Sequence, residues 1–178
     1  MDEIELVKQV TKRPRQTVVV MNLERDLQTE LPKLDRLSKR ATVFLSYARQ
    51  DQKITERIRR ALQNHDYSVL FDSAVRPGRD WSSVLHSAID DAVARGFVLV
   101  LLSPASLTSQ WCKQKTEYAL ELAARSRRSN VIPIVVASFA HDALPPHLAN
   151  LQWFDLTTRP FDARIEELIR SLKTREME

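Results

Sequence analysis

The chain has 178 residues, of which 43% are hydrophobic and 28% charged. That is enough apolar material for one real core with a short appendage, and too much charge for a membrane-embedded protein. No run of about 18 apolar residues occurs, which excludes a spanning helix, and the acidic start MDEIELVKQV has no apolar signal-peptide core.

A cytoplasmic protein is therefore expected. The single cysteine, Cys112, excludes an internal disulfide and a cysteine-based zinc site. His65, His86, His141 and His147 lack metal-ligand spacing, so no metal is expected. The net charge of +4 is scattered over KRPR, RIRR and RSRR, a pattern of solvated faces rather than of a nucleic-acid surface.

Residues 1–40 read as an N-terminal arm. TVVVM suggests an extra strand, and LERDLQTELPKLDRL spaces Leu23, Leu27, Leu34 and Leu37 in a heptad-like way. Pro32 interrupts that pattern and ends or kinks a helix. The short helix either packs on the domain or pairs with another copy.

From Thr42 on, short apolar runs alternate with amphipathic stretches. TVFLSY, SVLF, FVLVLL, VIPIVV and LQWFDL read as strands near 42–47, 68–71, 97–102, 131–136 and 152–156. Between them, QKITERIRRALQNH puts Ile54, Ile58, Ala61 and Leu62 on one helical face. DWSSVLHSAIDDAVARG aligns Trp81, Val84, Leu85, Ala88, Ile89 and Ala92 and stops at Gly96. KQKTEYALELAARSRR is a third helix. ARIEELIRSLK closes the domain with Ile165, Leu168, Ile169 and Leu172 on one face, leaving a tail at 175–178.

Strands apolar on both faces and separated by helices define an α/β fold. The expectation is a flavodoxin-like five-stranded parallel sheet with helices on both faces, spanning 41–174. Such sheets bind ligands where strand order reverses, at the strands' C-terminal ends. Here that crevice falls near Ser46, Tyr47, Ser103 and Pro104.

Three stretches stand out. In VFLSYARQD, Tyr47 and Arg49 emerge at a strand end, and Asp51 reads as the N-cap of the next helix. In FDSAVRPGRDW, Pro77-Gly78 favours a type II turn and Asp80 can cap the helix that follows. In SPASLTSQW, Trp111 either walls a pocket or caps the core.

Together these stretches resemble the three signature boxes of Toll/interleukin-1 receptor (TIR) domains, in order, over about Ala41 to Lys173. SYAR, PGRDW and SPASL look like the bacterial type. The resemblance implies a signalling or defence module that works through TIR–TIR self-association. The BB loop, here Arg76, Pro77, Gly78, Arg79 and Asp80, would make the contact. It also implies two alternatives for activity: cleavage of NAD+ at the nicotinamide–ribose bond, or a non-catalytic scaffold. NAD+ would be a substrate, with no further cofactor, and Ser46, Tyr47, Trp81, Ser103, Trp111 and Lys115 would line its pocket.

In NAD-cleaving members a glutamate lies about one helical turn after the Trp. Counting from Trp111, or back from Ala119, that position is Lys115, and the available carboxylate, Glu117, comes two residues later. Two residues on a helix is a rotation of roughly 200°. Taking Cys112, Thr116, Ala119, Leu120 and Ala123 as the buried face, Lys115 and Glu117 flank it on opposite sides. Bond cleavage builds oxocarbenium charge at the ribose, which a carboxylate stabilises and a lysine opposes. Glu117 is the candidate catalyst if the chain is an enzyme; Lys115 argues for the scaffold. A receiver-like domain shares this sheet but needs clustered aspartates after the first strand, where FLSYARQD offers only Asp51.

Overall fold

The computed structural model describes residues 41–71, 81–140, 143–158 and 160–177, with the side chains of 81–84 left aside. The chain divides into two units, Met1–Lys39 and Arg40–Glu178. The first unit, with the expected arm strand and heptad-like helix, lies outside the described residues.

The second unit alternates strands and helices as expected. Strand β1 (Thr42–Ser46) leads through a 3-10 turn at Arg49–Asp51 into α1 (Gln52–Asn64), and β2 (Ser68–Phe71) follows. Helix α2 (Trp81–Arg95) runs directly into β3 (Gly96–Leu102). Next come α3 (Pro104–Thr108), α4 (Gln110–Arg125) and β4 (Val131–Val135). A short α5 (Pro146–Ala149), β5 (Phe154–Asp155) and α6 (Phe161–Glu176) complete the unit.

The five strands form one sheet in the order β2-β1-β3-β4-β5, with every pair parallel. This is the flavodoxin-like order, and strand order reverses between β1 and β3. Strand side chains alternate faces, so each strand feeds two cores. Val43, Leu45, Leu99, Leu101 and Ile134 pack with Ile58 and Leu62 of α1 and with Leu168, Ile169 and Leu172 of α6. On the other face, Phe44, Val98, Val100 and Leu102 meet Leu85, Ile89 and Ala92 of α2 and Ala119 and Ala123 of α4.

Gly96 has a specific reason to be glycine. It pairs with Thr42 across β1 and β3, and a Cβ there would lie 1.9 Å from the Thr42 carbonyl oxygen. Buried Asn130 ties the same corner, its Nδ2 donating to the carbonyls of Val93 and Gly96 at 2.8 Å each. The end of α2 is thereby fixed to the start of β3.

Three differences from the sequence expectation concern element ends. The SPASLT segment contains a helix, α3, rather than only a loop. Helix α4 starts at Gln110 rather than at Lys113, because Ser109 caps it through its Oγ on the Cys112 amide at 3.3 Å. Helix α4 also ends at Arg125 rather than running on through Arg128, and Arg127 just beyond it adopts φ 52°, a left-handed conformation that costs a non-glycine residue about 1–2 kcal/mol.

Candidate functional site at the strand switch point

Strands β1 and β3 end side by side at the reversal of strand order, and the expected crevice residues gather there. Ser46 and Ser103 are buried, at 2% and 1% exposure. Tyr47 follows Ser46 and is also buried. Ser46 Oγ is buried with no hydrogen-bond partner, a rare condition for a hydroxyl.

Ser103 joins the two halves of the site. Its Oγ donates to Asp51 Oδ2 at 2.6 Å and accepts the Ser106 amide at 3.1 Å. Ser106 Oγ in turn accepts the Ser103 amide at 2.9 Å. This reciprocal capping box starts α3, with Pro104 at its first position.

Asp51 therefore does not do what its position suggests. It makes no side-chain cap on α1; its carboxylate instead accepts the Ser103 hydroxyl, from the loop after β3. Within the first turn of α1, Thr55 Oγ1 donates back to the Asp51 carbonyl at 2.9 Å. The only local signal for the bridge was Ser-Pro, a helix start; its partner lies across the sheet.

Helix α4 carries the residues in question. Its register is regular through them: Thr116 Oγ1 donates to the Cys112 carbonyl at 2.9 Å, and both are buried. Ala119 and Ala123 continue that face, while Leu120 is half-buried. Lys115 is 3% exposed, and its Nζ lies 5.9 Å from the centroid of the Trp111 ring, within cation–π reach. Trp111 is 42% exposed, so it does not cap the core. Glu117 is exposed.

Arg76, Pro77, Gly78, Arg79 and Asp80 lie outside the described residues, as does the Trp81 side chain, whose backbone opens α2. Among the described residues, no three of His, Cys, Asp and Glu stand close enough to share a metal ion. No described helix is long and apolar enough to cross a membrane.

Comparison with known proteins now bears on the class. The TIR domain family matches residues 43–169, so the chain belongs to the TIR domain family. Similar solved structures include the TIR domain of the Toll-related receptor TRR-2 from Hydra magnipapillata, at 17% identity and TM-score 0.56, covering 74% of this chain and 97% of that one. The TIR domains of the activated Roq1 resistosome, which directly recognises the pathogen effector XopQ, align at 18% identity and TM-score 0.59, covering 74% and 98%. A metazoan TIR-STING receptor from C. gigas, in complex with 2',3'-cGAMP, aligns at 24% identity and TM-score 0.51, covering 70% of this chain and 38% of that one. No curated protein matches the sequence.

Proposed function

We propose that this chain is a TIR signalling or defence module of the bacterial type that acts in the cytoplasm through TIR–TIR self-association, and that it turns over NAD+ slowly or not at all. The observation that carries the second half is the contrast on α4. Lys115 is buried at the position expected for the catalytic carboxylate, while Glu117 is exposed. A cation there opposes the positive charge that develops as the nicotinamide bond breaks. Self-association is supported by family membership and by assemblies such as the Roq1 resistosome. The buried, lone Cys112 suits a reducing compartment.

A second reading, NAD+ cleavage with Glu117 as catalyst, has one observation in its favour. The buried Ser46 hydroxyl lacks a partner at the switch point, an unmet bond that a nucleotide hydroxyl would satisfy once a local opening exposed it.

Two measurements test the proposal. NAD+ consumption by the full chain at high protein concentration should be barely above background; ready consumption that Glu117→Ala abolishes without unfolding would install the second reading. Sedimentation should show concentration-dependent assembly, weakened in Pro77→His and Gly78→Ala, because the Pro-Gly turn geometry is special. Unchanged assembly in both variants moves the contact away from the BB loop.

A further inference from the structure

At the end of the sheet opposite the switch point, where β3 and β4 begin, helices α2, α4 and α6 all end around one cleft of about 700 Å³. Arg95, Arg127, Arg128 and Arg175 line it, with Glu176 as the one acid among the lining residues. We infer that this cleft binds a small ligand carrying a chain of two or more phosphates.

The charge is not spent internally. Arg95 is paired with Asp91. Arg175 donates to neutral acceptors only, the Ser129 carbonyl at 3.2 Å and Gln152 Oε1 at 3.0 Å. Arg127 and Arg128 make no ion pair among the described residues. Three guanidiniums therefore face one carboxylate. Guanidinium groups match phosphate oxygens two at a time, which suits an oligophosphate better than a single carboxylate.

A simpler account is that cations collect wherever helix C-termini point, to complement the partial negative charge there. That account covers Arg95 and Arg175, which sit in last turns. It does not cover Arg127. The Arg127 amide donates to Ala124 O at 3.2 Å and the Arg128 amide to Ala123 O at 2.9 Å. This closure of α4 puts Arg127 at the left-handed position that glycine fills without strain. The fold alone would favour glycine; keeping a guanidinium there is a cost that a ligand explains.

Size and rigidity agree. The cleft falls within the range of small-molecule pockets, about 300–1,000 Å³. Its floor is fixed by the Asn130 bonds to Val93 and Gly96, so little ordering is needed on binding.

The test is calorimetric titration of the full chain with pyrophosphate, tripolyphosphate and ATP at low ionic strength, on wild type, Arg127→Gly and Arg128→Gln. Saturable one-to-one binding is expected, weakened about tenfold or more in each variant. Arg127→Gly should unfold at the same temperature or higher, so lost binding cannot be blamed on lost fold. ATP and tripolyphosphate binding alike would indicate recognition of phosphates alone, whereas tighter ATP would add the nucleoside; both support the inference. It is overturned by absent saturation, by variants that bind as wild type does, or by a single-stranded oligonucleotide binding far more tightly than tripolyphosphate. The last result would mark an extended nucleic-acid surface instead.

Discussion

The Ser103 hydroxyl donates to the Asp51 carboxylate at 2.6 Å, linking the loop after β3 to the turn before α1. The two residues follow the two strands between which strand order reverses, so the bond ties together the segments that leave β1 and β3 at the crevice. Ser103 also caps α3. Ser103→Ala should therefore lose the cap and the bridge together and destabilise by about 1–3 kcal/mol. Asp51→Ala should cost less, because the cap survives. Urea unfolding of the two variants checks the order; equal losses would mean that the bridge carries the whole effect.

Gly96 predicts a larger effect. A methyl group there must push against the Thr42 backbone, and neither strand can move without breaking the central pairing. Gly96→Ala should destabilise by about 4 kcal/mol or more, well beyond the propensity change. Thermal unfolding or soluble yield reports it, and a near-wild-type protein would contradict the close approach.

The α4 pair gives a functional prediction. Lys115→Glu should raise NAD+ consumption by about 10²–10³ per folded molecule, because it puts a carboxylate where positive charge develops. It should also lower stability, since it reverses charge at a buried position and removes the Trp111 contact, worth about 0.5–2 kcal/mol. Glu117→Ala should change neither stability nor assembly. Rates normalised to the folded fraction by circular dichroism separate these effects.

Tyr118 predicts an alkaline response. Its hydroxyl donates to Asp90 Oδ1 at 2.7 Å, which pushes the phenol from 10.0 up to about 12. As pH rises the unfolded chain loses this proton first. The bond's contribution is thus complete below pH 10 and fades between 10 and about 12. Stability of Tyr118→Phe relative to wild type should converge across that window. A constant gap would show that the Asp90 bond does not hold the proton.

The sheet was legible in the sequence because fully apolar runs leave few other choices. FVLVLL is buried along its length, and the helix faces read from Ile58, Leu62, Ile89 and Leu168 are the faces that pack. The site was legible only in part. Residues at strand ends could be placed near Ser46 and Ser103, since topology fixes where the ends meet. The Asp51 bridge could not, because its partner is 52 residues away and a local N-cap offered an equally good use for the carboxylate. Helix α3 spans five residues, too few for a period to emerge. The burial of Lys115 was not legible either, because a lysine is rarely fully buried and helical spacing had set it beside the apolar face rather than within it.

The brevity of β5 has a consequence for how copies can meet. An edge strand offers its free amides and carbonyls as a template for another chain. Here that edge is two residues long, Phe154 and Asp155, too short to seat an incoming strand. Continuing the sheet past β5 is thereby disfavoured at the backbone, and contacts on that side of the domain fall to side chains and loops, where single substitutions can tune them.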